Sequence, residues 1–182
     1  TQPEGFNTGS TIVDINADGF PDIYVSRAGW YLEDDKRRNL LYVNEGGLKF
    51  VERAQEFGID DSSCTTQSVF FDADLDGDLD LYLLNHILWR KRTQFIRDDQ
   101  PLMQIMGQDA YYENVDSKYI LATNKAGLFE DKSFGLGVAV SDLNGDGFPD
   151  IYITNDYSEP DRFYMNKGDG TFVNILKEAT NH

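Results

Sequence analysis

The sequence contains a single cysteine, Cys64, among its 182 residues. One cysteine cannot form an internal disulfide, and it cannot build a cluster of thiolate metal ligands. Disulfide-stapled folds and cysteine-based metal sites are therefore excluded. We expect Cys64 to be a small buried residue rather than a reactive thiol.

Basic residues are also scarce, since 16 Lys and Arg stand against 32 Asp and Glu and the formal net charge is -16. Nucleic acids and anionic membranes are bound by basic surfaces, and the cluster Arg90, Lys91 and Arg92 is too small to provide one. Long apolar runs are missing as well. The longest, Leu81–Leu84, has the length of a strand, whereas a helix that spans a bilayer needs about 20 residues. We expect no nucleic-acid partner and no membrane insertion.

What the sequence does contain is an internal repeat. A nine-residue acidic segment occurs three times, as DINADGFPD at 14–22, DADLDGDLD at 72–80 and DLNGDGFPD at 142–150. Short runs rich in β-branched and aromatic residues precede and follow each copy, which favours strands over helices. Each acidic segment is predicted to be a loop between two strands that are covered on both faces.

A second shared element follows each acidic loop and consists of two apolar segments joined by Asn and Gly, the residues of tight hairpin turns. It is predicted at 39–44 and 46–50, at 119–124 and 126–129, and at 162–166 and 168–172. Each repeat then has four antiparallel strands, which is typical of β-propeller blades. The predicted fold is all-β, with repeats at 1–60, 61–133 and 134–182. The second repeat carries an insertion at 86–118, with a short helix expected around 102–107.

The chemistry of the acidic loops points to calcium. Ca²⁺ takes about six to eight oxygen ligands, from carboxylates, amide oxygens and backbone carbonyls. A loop with acidic or amide side chains at alternate positions meets that need, and Gly19, Gly77 and Gly147 stand at the sixth position, where the chain must turn around the ion. We predict about three Ca²⁺ ions. Their ligands are the side chains at positions one, three, five and nine and the carbonyl at position seven: Asp14, Asn16, Asp18, Phe20 and Asp22; Asp72, Asp74, Asp76, Asp78 and Asp80; Asp142, Asn144, Asp146, Phe148 and Asp150.

Other interpretations of the loop fit less well. An EF-hand needs a Glu at position 12, where Val25, Leu83 and Ile153 stand instead. A catalytic carboxylate pair is conceivable, because neighbouring acids shift each other's pKa, but an arrangement present three times is more typical of structure. A solvated run of charge would not place Gly at one fixed position and Asp at the ninth in every copy.

Two segments of the third repeat are similar to a known family. FGLGVAVSD at 134–142 and DRFYMNKGDGTF at 161–172 resemble FG-GAP/VCBS repeats, whose calcium loops also occur in the propellers of integrin α-subunits. The likeness is closest to bacterial VCBS-repeat proteins that carry an ASPIC/UnbV domain. This resemblance implies a ring of about seven blades, calcium in the blade hairpins, and an extracellular, periplasmic or cell-surface location. The chain holds three repeats, so we expect a fragment of such a ring or one piece of an assembly, with the remaining blades in cis or from an assembly partner.

The same resemblance implies a non-enzymatic module that mediates binding or adhesion to a protein or polysaccharide. A candidate recognition surface is the set of aromatic and cationic residues in and beside the insertion, and the alternative is that they only pack it against the blade: His86, Trp89, Arg90, Tyr111 and Tyr112. Two other functions stay open, a calcium-dependent hydrolase or lyase that acts on sugars and a purely structural spacer array. His86 and His182 are isolated from any Ser or Cys nucleophile pattern, so no catalytic residue is assigned.

Overall fold

The computed structural model describes residues 4–29, 33–87, 107–129, 133–156 and 159–180. Strands dominate this part of the chain: β1 Phe6–Val13, β2 Asp22–Ala28, β3 Leu40–Asn44, β4 Phe50–Glu52, β5 Thr65–Phe71, β6 Asp80–Asn85, β7 Ala110–Val115, β8 Lys118–Leu121, β9 Gly135–Ser141, β10 Asp150–Asn155, β11 Arg162–Asn166 and β12 Phe172–Asn174. Helices are short: a 3₁₀ turn at Asp34–Lys36, α1 at Ala54–Phe57 and α2 at Leu176–Thr180. Within the described ranges, none of these helices has the length and apolar character needed to cross a bilayer.

The strands pair in three separate antiparallel sheets of four strands, each in chain order: β1 to β4, β5 to β8, and β9 to β12. We call these sheets blade one, blade two and blade three. The prediction of an all-β fold with three four-stranded antiparallel repeats is confirmed. In the part of the chain that the structure describes, the three blades do not close into a ring.

The predicted second hairpin of blade two is wrong. Its strands are β7 at Ala110–Val115 and β8 at Lys118–Leu121, not 119–124 and 126–129. The two strands are joined by Asp116 and Ser117, which adopt φ of 53° and 62° without a glycine to mark the turn. The later Asn and Gly residues, which suggested a hairpin, instead form turns at 123–127. Strand β7 therefore lies inside the range predicted as an insertion, while most of that range and the helix expected around 102–107 fall outside the described residues.

The hydrophobic core lies between blades. Leu81 and Leu83 of β6 pack against blade one, in a cluster that includes Tyr24 and Leu41. The alternate residues of the same strand, Tyr82 and Leu84, pack against blade three in a second cluster. Every residue of β6 is buried, so the prediction of strands covered on both faces is confirmed for this strand. It is wrong for the first strands β1, β5 and β9, which keep exposed residues because they lie at the edge of their sheets. Each such leucine contributes about 1.5–3 kcal/mol by burial, so the blades are held together by their neighbours.

Polar contacts align the first strands of adjacent blades. Thr8 and Thr11 of β1 donate hydroxyl hydrogen bonds to the carbonyls of Thr65 and Ser68 in β5, the second at 2.8 Å. The hydroxyl of Thr66 in β5 bonds the carbonyl of Gly135 in β9 at 3.0 Å in turn. Because the partner numbers rise together, β1 and β5 run in the same direction, and the loops that follow them emerge on the same side of the molecule.

Cys64 is fully buried beside Ala28 and forms no disulfide. Burial raises the pKa of its thiol to about 11, so the sulfur is uncharged at neutral pH. A neutral buried thiol is a poor nucleophile. The prediction that Cys64 is a small core residue is confirmed.

Candidate metal centres in three acidic loops

The acidic segments form loops at equivalent places in the three blades. Each one connects the first strand of its blade to the second, and the ninth residue of each loop pairs in register with the residue that precedes its first: Val13 with Asp22, Phe71 with Asp80, and Ser141 with Asp150. The predicted order of strand, loop and strand is confirmed in all three repeats. Each loop is thus a closed turn whose two ends are fixed by sheet hydrogen bonds.

The aspartate at position one organises the backbone of its loop. Its Oδ2 accepts a hydrogen bond from the amide of the glycine at position six, at 2.8 Å for Asp14 and Gly19, 3.1 Å for Asp72 and Gly77, and 2.9 Å for Asp142 and Gly147. These glycines have φ between 86° and 98°, and a Cβ added to any of them would meet no atom within 4 Å. The requirement for glycine is therefore conformational rather than steric, as the sequence predicted.

The aspartate at position nine ties each loop to the third strand of its blade. Asp22, Asp80 and Asp150 are buried. Their Oδ1 atoms accept hydrogen bonds from the backbone amides of Asn44 at 2.7 Å, Asn114 at 2.8 Å and Asn166 at 2.8 Å. Their Oδ2 atoms accept hydrogen bonds from the amides at position two, those of Ile15, Ala73 and Leu143. A second lone pair stays available for a cation on both oxygens of Asp22 and Asp150 and on Oδ1 of Asp80, and each carboxylate is already held in place.

Sequence reasoning missed this role of the ninth aspartate. The available signal was the asparagine at the end of each third strand or one residue before it, Asn44, Asn114 and Asn166, since the backbone amide at this position is the donor in all three blades. In blade two the hydroxyl of Tyr111 adds another hydrogen bond to Asp80 Oδ2, at 2.8 Å. Burial raises the pKa of Asp80 to about 6, because its effect exceeds that of these hydrogen bonds, which lower the pKa.

The middle loop gathers the densest negative charge. Asp72, Asp74 and Asp76 bring one carboxylate oxygen each within 4.8 Å of one another. Asp72 Oδ1 is buried and accepts no hydrogen bond from the described residues. Burial and the neighbouring charges of Asp76 and Asp72 raise the pKa of Asp74. An unpaired buried carboxylate oxygen beside two further carboxylates is costly without a cation, so these residues fit a hard divalent ion.

The first and third loops carry an asparagine at position three in place of the middle loop's aspartate. Asn16 Nδ2 donates to Asp18 Oδ2 at 2.9 Å, and Asn144 Nδ2 donates to Asp146 Oδ2 at 2.8 Å. These amides join the side chains at positions three and five. With three carboxylates against the five of the middle loop, each of these loops attracts a cation less strongly than the middle loop does.

The residue at position seven of each loop comes directly after the glycine at which the chain turns. Their backbone amides donate to the carboxylate at position five, from Phe20 to Asp18 and from Asp78 to Asp76, at 2.8 Å and 2.9 Å. The third loop repeats the contact from Phe148 to Asp146 at 2.8 Å. The rings of Phe20 and Phe148 lie beside glycines of the turn between the third and fourth strands, Gly46 and Gly168. These rings connect two of the loops to the neighbouring hairpin.

Two described members of the predicted recognition surface in the insertion, Tyr111 and Tyr112, do not lie on the surface. Tyr111 and Tyr112 are buried in the two cores between blades, and the hydroxyl of Tyr112 bonds Asp61 Oδ2 at 2.9 Å. They are packing residues, because β7 is a blade strand and not part of an insertion. His86 is half-buried, with its ring edge against Phe134 at a centroid distance of 5.6 Å. Trp89 and Arg90 lie outside the described residues.

Comparison with known proteins agrees with the geometry of the loops. A family model described as an FG-GAP-like repeat matches residues 14–83 and 142–181, which together make up more than half of the chain. The matched ranges include all three acidic loops. The match is to the repeat itself and does not extend to the ASPIC/UnbV group. A search of curated proteins finds no match.

Proposed function

Because the chain belongs to the FG-GAP-like repeat family, we propose that it is a calcium-binding, non-enzymatic module that binds a protein or a polysaccharide outside the cytoplasm. The observation that carries the proposal is the middle loop. Three carboxylates converge there, and Asp72 Oδ1 is buried without a hydrogen-bond donor. A cation supplies what that oxygen lacks, and it removes the repulsion within the cluster.

Calcium suits the loops better than magnesium does. Each loop offers four side chains and a backbone carbonyl, a ligand set that matches the high and flexible coordination number of Ca²⁺. Mg²⁺ prefers strict octahedral geometry and keeps several of its water molecules. The first and third loops have fewer carboxylates, and the millimolar calcium found outside cells fills such weaker sites. This argument supports an extracellular, periplasmic or cell-surface location.

A binding role is favoured over catalysis by the repetition of the carboxylate sites and by the surroundings of His86. Its Nδ1 lies 2.9 Å from the carbonyl oxygen of Ile87, and its ring contacts Phe134 rather than a nucleophile. A calcium-dependent sugar hydrolase needs a pair of carboxylates at which a proton is transferred. The carboxylates of Asp72, Asp74 and Asp76 instead converge, with one oxygen of each within 4.8 Å of the others, which favours a shared cation over proton transfer.

The metal-binding part of the proposal is tested by calorimetric titration of metal-stripped protein with Ca²⁺, followed by competition with Mg²⁺. We expect about three sites per chain, with the middle loop tightest, and little effect of Mg²⁺. Asp72→Asn should remove the tightest site. Asp116→Asn is the matched control, because it removes one charge from the β7–β8 turn of the same blade, where asparagine tolerates the positive φ. No calcium binding by the wild type, or unchanged binding by Asp72→Asn, would refute the proposal.

The binding role is tested separately, with immobilised polysaccharides and extracellular matrix proteins as probes. We expect binding that is retained in Ca²⁺ and lost in chelator, since ordered loops present a fixed surface to a partner. Turnover of a soluble polysaccharide, followed by release of reducing ends, would instead establish the enzymatic alternative.

A further inference from the structure

The outer face of blade three, which points away from blade two, carries the residue pattern that the first two blades bury. Because Asp22, Asp80 and Asp150 are equivalent, the strand register makes Tyr24, Tyr82 and Tyr152 equivalent as well. Tyr24 and Tyr82 are fully buried against the next blade, whereas Tyr152 is only half-buried. The outer face of blade three is thus the counterpart of two surfaces that are already interfaces in this molecule.

Other positions of the pattern behave in the same way. At the second position of the loop, Ile15 and Ala73 are buried between blades, whereas the equivalent Leu143 is 55% exposed. On the third strand, Leu41 and Tyr111 are buried, and their equivalent Phe163 is half-buried. These equivalent apolar positions are buried in blades one and two but accessible in blade three. Because large apolar patches on a surface mark contact sites, this face of blade three is a candidate contact site.

The tyrosine on the outer face of blade three makes the same hydrogen bond to an aspartate as its equivalent in blade two. In blade two, Asp109 accepts hydrogen bonds from the hydroxyl of Tyr82 at 2.9 Å and from the amide of Asn85 at 2.8 Å. In blade three, Asp161 accepts the same two bonds from Tyr152 at 3.1 Å and from Asn155 at 2.9 Å. The tyrosine of blade three is therefore held in the orientation that its equivalent uses inside an interface.

The complementary half of the same interface lies at the other end of the molecule, on the outer face of blade one. Blade two packs against blade one through Leu81 and Tyr119, and blade three packs against blade two through the equivalent Ile151 and Phe172. All four side chains are buried. The equivalents in blade one are less covered: Ile23 is half-buried, and Phe50 is exposed. Ile12, the equivalent of Phe70 and Val140, is 64% exposed.

We propose that the outer face of blade three binds the outer face of blade one in a second copy of this chain. One molecule presents both halves of a contact that it already makes twice internally, which is the requirement for a head-to-tail interface. If each of two copies covers the other's free faces, the pair has six blades, within the range of about four to eight found in propellers.

The experiment is sedimentation velocity of the purified chain over a wide range of concentrations. We expect a species of twice the chain mass of 20.7 kDa that increases with concentration. Phe163→Glu and Ile12→Lys should each abolish it, because each places a charge in one half of the contact. Ile120→Lys is the matched control, since Ile120 is 53% exposed on the outermost strand of blade two, whose two faces are covered. Circular dichroism and melting curves check that the variants are folded.

Mixing the two interface variants distinguishes the arrangement. The Phe163→Glu copy keeps an intact blade-one face and the Ile12→Lys copy keeps an intact blade-three face, so an equimolar mixture should associate although neither variant does so alone. A dimer that survives Ile12→Lys but not Phe163→Glu would mean that two blade-three faces meet, and this would overturn the proposal. A wild-type chain that stays monomeric at the highest concentrations would also overturn it, and further blades in cis would then be the occupants of both faces.

Discussion

The side-chain amide of Asn166 in blade three donates a 2.7 Å hydrogen bond to the backbone carbonyl of Ala73, the second residue of the acidic loop in blade two. The backbone amide of Asn166 also holds Asp150, the ninth residue of the loop in its own blade, at 2.8 Å. One residue therefore connects two candidate metal loops across the interface between blades. Because both contacts are buried, a change at Asn166 is expected to reach both loops.

Asn166→Ala should lower the free energy of unfolding by about 1–3 kcal/mol, because it leaves the buried carbonyl of Ala73 without its donor. It should also weaken calcium binding by the middle loop. The matched control is Asn44→Ala, since Asn44 makes the same contacts within its blade, to Pro21 and Gly46, but no contact to another loop is recorded among the described residues. Urea unfolding and calcium titration of both variants measure the difference. Equal losses in the two variants would argue against coupling between the loops.

Removal of calcium should lower the melting temperature of the wild type. A ligand that binds only the folded state stabilises it by about 4 kcal/mol per site at 1,000 times its Kd. Without the ion, the carboxylates of Asp72, Asp74 and Asp76 repel one another within a 4.8 Å cluster. Calorimetric melts with calcium and with chelator measure the shift, and Asp72→Asn should shift less. A melting temperature that chelation leaves unchanged would contradict the metal assignment.

Gly168→Ala should destabilise the protein more than Gly170→Ala does. Both glycines have positive φ, 72° and 74°, so both substitutions carry about 1–2 kcal/mol of backbone strain. Only at Gly168 would the added Cβ meet another side chain, the ring of Phe148 at 2.9 Å, and this overpacking adds about 1–3 kcal/mol. The difference between the two variants in urea unfolding therefore measures the contact between loop three and its hairpin. Equal destabilisation would show that the ring moves aside without cost.

The stability of the metal-free protein should depend on pH through Asp109. Burial raises the pKa of this carboxyl to about 6, although the amide of Asn85 and the guanidinium of Arg162 act in the opposite direction. A raised pKa means that the folded state binds the proton more tightly than the unfolded chain does. The contribution is therefore complete below the unfolded value near 3.8 and is lost as the pH rises through about 6.

The expected loss from this group over that interval is on the order of 2–3 kcal/mol. Asp109→Asn cannot titrate, so its stability should fall less steeply between these pH values than that of the wild type. Above about pH 6 the variant should also lack the attraction between the charged Asp109 carboxylate and Arg162, which lies 3.6 Å from it. Urea unfolding of both proteins at a series of pH values gives the two slopes. Parallel slopes would assign the pH dependence to other groups.

The elements that the sequence predicts well are those with a repeated local pattern. The loops at 14–22, 72–80 and 142–150 and their flanking strands are where the alternation of acid, glycine and apolar runs places them. Strand β7 escaped prediction because its turn, Asp116 and Ser117, adopts positive φ without a glycine. The geometry of strand, loop and strand is a local property, so its recurrence in three copies is enough to predict it.

The features that sequence reasoning missed depend on tertiary contacts. The carboxylate of Asp80 is held by Asn114 and Tyr111, more than 30 residues away along the chain. Tyr111 was predicted to belong to a recognition surface because its neighbours in sequence are polar and aromatic. Its burial follows only from the packing of blade two against blade three, which no local pattern contains.

The alternation of side chains along β6 also determines how the molecule opens to solvent. Leu81 and Leu83 close one core and Tyr82 and Leu84 close the other, so blade two cannot leave without breaking both. In the monomer, the first and third blades each lose only one core when they detach. Amide hydrogens of β6 should then exchange with deuterium last, through complete unfolding, while those of β2 and β10 exchange through partial opening from either end. Blade two, which has the most charged loop, is thus the last part of the chain to unfold.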